Sequence, residues 1–120
     1  MRTVLTADRL IDGTGRPPLP HAALVIEDGI IAGIATGDEV GAALTGADQV
    51  DVDGGSILPG FVEMHTHMHC SAETDPLADL ATYSHEAMLL RSARAMRLAL
   101  GSGGTTLRDL GSRNEVAFPI

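Results

Sequence analysis

The chain carries the sequence SILPGFVEMHTHMHC at residues 56–70, and this stretch decides how the fold is interpreted. An apolar segment interrupted by Pro59-Gly60 runs directly into three histidines spaced two residues apart. Residues i and i+2 of a β-strand point to the same face, so the side chains of His65 and His67 are expected to converge. Imidazole is a suitable ligand for zinc and for neighbouring divalent metals. The stretch therefore predicts a strand over 57–65 with a metal-binding pair at its carboxyl end.

The elements that follow predict a parallel sheet. A helix is expected over roughly 83–100, with Ser84 as its N-cap and Gly101 as its stop. Apolar residues recur on one side of this helix at helical spacing, namely Leu89, Ala93, Met96 and Leu100. A second short strand is expected at 104–109. Strand, helix and strand form a βαβ unit, and the first strand is expected to be buried. Parallel folds place their chemistry at the carboxyl ends of such strands, where the histidine pair lies.

Residues 1 to about 55 predict antiparallel β structure. Two short apolar runs flank Asp28-Gly29, which is a strong signal for a hairpin because a type I′ turn needs positive φ at both central residues. A further short strand is expected at 49–53, stopped by Gly54-Gly55. The Gly- and Ala-rich segment 38–47 fits either a short helix or a loop.

Composition excludes several classes of function. The formal net charge is −8, so an acidic surface would repel a phosphate backbone, and nucleic-acid binding is not expected. No apolar run reaches the ~18 residues of a membrane span, and the first residues do not resemble a signal peptide. Cys70 is the only cysteine, which excludes an internal disulfide. The expected location is the cytoplasm, without a membrane partner.

The motifs resemble one known family. Residues 57–67, ILPGFVEMHTH, resemble the signature that opens the barrel in the amidohydrolase superfamily. Residues 103–111, GGTTLRDLG, resemble the second-strand motif of the branch that includes imidazolonepropionase-like and Xaa-Pro dipeptidase-like enzymes. The hairpin at Asp28-Gly29 is similar to the small β-sandwich that precedes that barrel. The resemblance covers nearly the whole chain, with its parts in the family's order.

The resemblance implies an α/β fold with two domains. Residues 1–56 would be the N-terminal part of an antiparallel β-sandwich, and residues 57–120 the first strand, helix and strand of an incomplete (β/α)₈ TIM-type barrel. Both first-strand histidines, His65 and His67, would bind a divalent metal, zinc first, in a site of one or two ions. Candidates for the surroundings of the metal are Glu63, His69 and Asp109. His69 would share the face of the pair only if the strand continued, and the chain is expected to leave the strand before it. A structural role is the alternative for Asp109. Glu63 departs from the family, which usually has Asp at that position.

The chemistry implied is hydrolysis of an amide or peptide bond in a small molecule by a metal-activated water. The family's other ligands, including a lysine, come from later strands, and this chain contains no lysine. A complete barrel needs ~250 residues, so we expect a piece of a longer enzyme, with no catalytic residue assigned within it and little activity alone. Uncovered strand edges would favour poor solubility or self-association into a homo-oligomer. A non-catalytic binding module remains the alternative.

Overall fold

The computed structural model describes residues 1–70, 75, 78 and 81–112. The chain divides into two compact units, Met1–Pro59 and Gly60–Ile120. It is a strand-rich α/β structure, and the two units contain different sheets. In the part of the chain that the structure describes, no helix is long and apolar enough to cross a membrane.

The first unit is a five-stranded sheet with one short helix. Its elements in chain order are β1 (Arg2–Leu10), β2 (Leu19–Pro20), β3 (Ala23–Glu27), β4 (Ile30–Ala35), α1 (Glu39–Leu44) and β5 (Asp48–Ile57). β1 is the central strand of the sheet. It pairs antiparallel with both β2 and β3, and it pairs parallel with β5. β4 continues the sheet beyond β3 in antiparallel pairing. These residues form a single sheet, so the second layer of a sandwich stays a prediction.

The hairpin predicted at Asp28-Gly29 is confirmed. β3 and β4 pair antiparallel across it, with Glu27 opposite Ile30. The φ angles of Asp28 and Gly29 are 49° and 81°. Both central residues therefore have the positive φ that a two-residue type I′ turn requires, and the aspartate–glycine pair adopts it at little cost.

Two expectations for β5 are wrong. It pairs with β1 parallel, not antiparallel, because the chain between them crosses over through the β3–β4 hairpin and α1. It also continues through Gly54-Gly55 instead of stopping there. Between the pairs Ala7–Val52 and Arg9–Ser56 one residue of β1 faces three residues of β5, so the two glycines form a bulge.

The core of the first unit lies between the sheet and α1. Its buried side chains are small, and they are Val4, Ala23, Val25, Ala35 and Ala43. The segment 38–47, left open between helix and loop, contains the helix α1. On β4, Ile30 and Ile31 are 72% and 65% exposed. A substantial apolar surface of this unit is therefore not packed against anything within the described residues.

The second unit contains the predicted strand, helix and strand. They are β6 (Phe61–Thr66), α2 (His85–Gly101) and β7 (Gly104–Asp109). β6 and β7 are parallel neighbours, which confirms that part of the prediction. The first strand begins later than expected, because Ile57 belongs to β5 and Pro59 precedes the new strand. β6 was expected to be buried, and it is not, since Phe61, Val62 and Met64 are all more than half exposed.

The ends of α2 are set by local chemistry. The hydroxyl of Ser84 accepts a hydrogen bond from the backbone N–H of Ala87 at 3.3 Å, which confirms the predicted N-cap. The predicted stop at Gly101 is wrong, because this residue still lies in the helix. The left-handed residue is Gly103, with φ 93°, so the glycine two positions later ends the helix.

The face of α2 that packs against the sheet differs from the predicted one. Met88 is 1% exposed and Ser92 is fully buried, whereas Leu100 is 63% exposed. The first residue of β7 approaches the end of the helix closely, since a Cβ added at Gly104 would lie 3.1 Å from the carbonyl oxygen of Ala99. The positions of α2 that become buried therefore depend on its contact with the sheet, which the apolar spacing of the helix alone does not specify.

Candidate metal centre

The carboxyl ends of β6 and β7 bring two loops together. Thr66 is paired with Asp109, and the backbone N–H of Leu110 donates to the carbonyl oxygen of Thr66 at 3.0 Å. The loop that begins at His67 and the loop that begins at Leu110 therefore start side by side. Every residue singled out around the metal site in the sequence lies on these two strands or on their loops.

His65 and His67 lie next to each other at this edge. The centroids of their rings are 5.3 Å apart, and the rings meet at 70°. His65 is the penultimate residue of β6 and His67 follows its last residue. Both residues are exposed, so their rings are open to solvent at the end of the strand.

The ring of His67 is held by the second loop. Its Nδ1 lies 2.9 Å from the carbonyl oxygen of Gly111. A carbonyl oxygen can only accept, so Nδ1 carries the hydrogen and donates it. In the neutral imidazole the lone pair then lies on Nε2. This arrangement presents an unprotonated nitrogen, as metal ligation by histidine requires.

Glu63 contacts the backbone at the histidine pair. Its Oε1 accepts a hydrogen bond from the backbone N–H of His65 at 2.9 Å. This contact ties the carboxylate to the strand on the same side as the ring of His65. Glu63 and His67 also line an open cleft of about 320 Å³ between the sheet and α2, whose far side includes Ala95 and Ala99.

His69 lies beyond the strand. β6 ends at Thr66, and the backbone N–H of Cys70 donates to the carbonyl oxygen of His67 at 2.9 Å in a turn. The expectation that the chain leaves the strand before His69 is therefore confirmed. His69 is only 6% exposed, and its Nδ1 lies 3.0 Å from Oγ of Ser112. Its ring centroid is 6.4 Å from that of His67.

Asp109 is the centre of the second loop. Its Oδ1 accepts a hydrogen bond from the backbone N–H of Gly111 at 2.9 Å, and its Oδ2 accepts a short one from the hydroxyl of Ser112. Partial burial acts to raise the pKa of Asp109. The hydrogen bonds from Ser112, Gly111 and the backbone of Met68, together with the charge of His69, outweigh it and hold the pKa below its usual value.

Neither Ser112 nor the carbonyl group of Gly111 was predicted from the sequence as part of the site. Both residues contact histidines that lie more than 40 positions earlier in the chain. The only local signal is that Gly111 and Ser112 follow Asp109 by two and three positions. Aspartate side chains commonly accept a hydrogen bond from the backbone N–H two residues later. That signal predicts a turn, but it does not indicate which side chains the turn would meet.

Few other side chains that could bind a metal ion lie near the histidine pair. Within residues 1–70, 75, 78 and 81–112, no three side chains from His, Cys, Asp and Glu form a group that could hold a metal ion. Of the other histidines, His69 lies close to His67 in the turn after β6, whereas His21 is exposed in the first unit and His85 is half-buried at the start of α2. His65 and His67 are the two residues predicted to hold an ion here, and their role as ligands stays a prediction.

The chain is similar in sequence and in backbone structure to several named enzymes. The chain is 36% identical over 93 residues to an imidazolonepropionase of Desulfotalea psychrophila, covering 67% of this chain and 22% of that protein. It is 40% identical over 68 residues to a dihydroorotase of Caldanaerobacter subterraneus subsp. tengcongensis, covering 57% of this chain and 14% of that protein. A crystal structure of a Xaa-Pro dipeptidase with methionine bound in its active site matches 99% of this chain and 29% of its own, with 25% identity and a TM-score of 0.80.

These matches cover a small share of each relative. The matched region spans between 10% and 22% of the length of the curated relatives. No family model matches the chain. The likeness therefore rests on pairwise similarity to individual proteins and on the shared backbone.

Proposed function

The chain belongs to the amidohydrolase superfamily, and from that premise we propose that the protein carrying it hydrolyses amide or peptide C–N bonds with a water activated by a divalent metal ion. The names of the relatives support this substrate class, since they are an imidazolonepropionase, a dihydroorotase and a Xaa-Pro dipeptidase. Small cyclic amides and dipeptides are the substrates to test first.

The observation that carries the proposal is the arrangement of His65 and His67. Two imidazoles bound through nitrogen to one tetrahedral zinc ion at ~2.0–2.1 Å have ring centroids about 5 Å apart. The two rings lie 5.3 Å apart. The contact from Nδ1 of His67 to Gly111 leaves the lone pair on Nε2, the nitrogen that faces away from the protein's own acceptor. The spacing of the two rings thus fits a shared ion, and the hydrogen bond of His67 leaves its Nε2 available to bind it.

Zinc is the first candidate on ligand chemistry, since both ligands are imidazoles. When bound, the ion would supply a nucleophilic water at neutral pH and polarise the carbonyl under attack. The chain's own residues hold and orient the ligands. His65 is steadied through its backbone by Glu63, and His67 through its ring by Gly111.

We place β6 and β7 as the first two strands of a (β/α)₈ barrel, and the first unit as part of a β domain that precedes it. Parallel pairing and the intervening helix support this placement. The exposed apolar side chains of the second unit also support it, because further strands and helices would cover them. They include Phe61, Val62, Met64, Leu98 and Leu100.

A binding module without catalysis is the second candidate. The observation in its favour is that the described residues contain only a two-histidine arrangement, whereas catalytic zinc normally keeps three protein ligands. The sequence has no lysine to serve as a further ligand of the family type. Reading the gene beyond the codon for Ile120 discriminates between the two candidates. An open frame with a lysine and further histidine and aspartate residues supports the hydrolase, and a stop codon supports the module.

The test of the metal site uses alanine variants in the protein that carries this sequence. His65→Ala and His67→Ala should each remove most of the bound metal and most of the amide hydrolysis, because each residue supplies one of few bonds to the ion. His85→Ala is the matched control, since it removes an imidazole at the start of α2. Metal content by elemental analysis is the primary measurement. Full metal content and normal turnover in His65→Ala would refute the ligand assignment.

A further inference from the structure

The carboxylate of Asp109 connects two imidazoles through the residues that follow it. Its two oxygens accept from the backbone N–H of Gly111 and from the hydroxyl of Ser112. The carbonyl oxygen of Gly111 lies 2.9 Å from Nδ1 of His67, and Oγ of Ser112 lies 3.0 Å from Nδ1 of His69. Each carboxylate oxygen of Asp109 is therefore linked to one histidine ring through one intervening residue.

The hydrogens in this network have a single consistent direction. An ionised carboxylate only accepts, so Gly111 donates its N–H and Ser112 donates its one hydroxyl hydrogen to Asp109. The hydroxyl oxygen of Ser112 can then only accept from His69. Both His67 and His69 therefore carry their hydrogen on Nδ1 when neutral, with the lone pair on Nε2.

We propose that Asp109 is a positioning residue, which holds Gly111 and Ser112 so that these two residues set the ring orientation and the protonated nitrogen of His67 and His69. Strand pairing supplies the framework, since Asp109 is paired with Thr66, between the two proposed ligands. The consequence for metal binding rests on the proposed function, because the orientation of His67 matters only if its Nε2 binds the ion. The hydrogen bonds of the network do not themselves involve an ion.

The first test is the tautomer of each histidine in the metal-free chain. Nitrogen NMR of ¹⁵N-histidine distinguishes Nδ1–H from Nε2–H, and the chain has five histidines to assign. We expect Nδ1–H at both His67 and His69. Nε2–H at either ring in the unsubstituted chain would overturn the proposal.

Asp109→Asn should affect the two rings differently. The backbone N–H of Gly111 needs an acceptor, so the amide oxygen of the asparagine faces it and the amide nitrogen faces Ser112. The hydroxyl of Ser112 would then accept from that nitrogen and donate to Nδ1 of His69. We expect His69 to change to Nε2–H while His67 keeps Nδ1–H. An unchanged tautomer at His69 would overturn the proposal.

Serine variants test the link from Asp109 to His69. Ser112→Ala should alter the ring-nitrogen shifts of His69 alone, and Ser112→Thr should restore them because it keeps the hydroxyl. A threonine variant that behaves like the alanine variant contradicts the proposal. Asp53→Asn, an exposed position on β5, is the matched control for loss of a carboxylate. Backbone amide spectra establish that each variant is folded before its rings are compared.

A zinc titration separates the two proposals. If the tautomers respond as expected and zinc shifts Nε2 of His65 and His67, both proposals are supported. If the tautomers respond but zinc leaves these nitrogens unchanged, the metal site is wrong and the role of Asp109 stands. If zinc shifts Nε2 in the unsubstituted chain and in Asp109→Asn, but the tautomer of His69 does not change in that variant, the role of Asp109 is wrong and the metal site stands.

Discussion

At the scale of single residues, hydrogen bonds determine which ring nitrogen of His67 carries the hydrogen, and they favour the ionised form of Asp109. Gly111 accepts from His67, and Asp109 accepts twice from its own loop. Such contacts are short-range and directional, so a single substitution should change one ring or one carboxylate without moving the strands. Predictions at this scale therefore concern titration and ligand geometry.

The stability of the chain should depend on pH through Asp109. Its pKa is lowered on folding, so the stabilisation is present above the unfolded value of about 3.9 and is lost as pH falls through the lower folded value. Asp109→Asn should lower the free energy of unfolding at pH 7 by about 1 to 3 kcal/mol, because it weakens hydrogen bonds to a charged group. It should also flatten the dependence of stability on pH below about 4.

Denaturant melts at several pH values measure this effect. Asp53→Asn serves again as the control, because the side chain is exposed on β5. A variant at Asp109 that loses stability equally at pH 7 and at pH 2 would show that the effect does not come from ionisation of this carboxyl group.

At the scale of elements, α2 carries the largest difference between what its sequence indicates and where it packs. Its N-terminus follows from Ser84, a local signal that the structure confirms. Its C-terminus and its buried face depend on contacts with the β6–β7 sheet. The glycines at its end and the side chains along it therefore allow direct tests.

Alanine at the two glycines near the end of α2 should have opposite effects. Gly103 has φ 93°, and a Cβ there would lie 3.2 Å from the ring of Phe61. Gly103→Ala should therefore destabilise the chain by roughly 1 kcal/mol or more. Gly101 is helical with no atom within 4 Å of an added Cβ, so Gly101→Ala should stabilise it by up to about 1 kcal/mol. Thermal melts of both variants decide the matter, and equal effects would contradict the assigned helix end.

The buried face of α2 can be tested with truncations. Met88 is 1% exposed, so Met88→Ala should cost about 2 to 5 kcal/mol. Leu90 is 74% exposed, and Leu90→Ala should change stability by no more than about 0.5 kcal/mol. The same denaturation assay compares the two. A larger loss at Leu90 than at Met88 would mean that the helix packs through another face.

At the scale of the whole molecule, the chain contains two units that each leave apolar surface exposed. Ile30 and Ile31 are exposed in the first unit, and Leu98 and Leu100 in the second. Exposed apolar patches of this kind favour association. The free 120-residue chain should therefore form oligomers or aggregates as its concentration rises, which light scattering during size-exclusion chromatography would detect. A monomer at all concentrations would contradict this expectation.

The 120-residue chain alone should turn over little substrate. Two histidine ligands leave an ion mostly bound by water, whereas catalytic zinc normally has three protein ligands. The assay supplies zinc, manganese or iron in turn, with dipeptides and simple amides as substrates. The double variant His65→Ala, His67→Ala is the control. Metal-dependent hydrolysis at ordinary enzyme rates of ~1 to 10³ per second, absent from the control, would refute the prediction.

Local signals in the sequence were sufficient for several features. The aspartate–glycine turn at residues 28 and 29, the cap at Ser84 and the order of strand, helix and strand each depend on residues within a few positions of one another. The placement of the two histidines at a strand end follows in the same way, because the alternation of a strand is a local property. Their role as ligands stays a prediction.

Only the tertiary structure decided the contacts between distant segments. The parallel pairing of β1 with β5, the bulge at Gly54-Gly55 and the buried face of α2 each depend on a partner element that local sequence does not specify. The contact of His67 with Gly111 joins residues 44 positions apart. Secondary-structure periodicity shows which face of an element is apolar, but the face that is finally buried depends on how closely two backbones can approach. In α2 the buried residues are Met88 and Ser92, whereas Leu90, Leu98 and Leu100 are exposed.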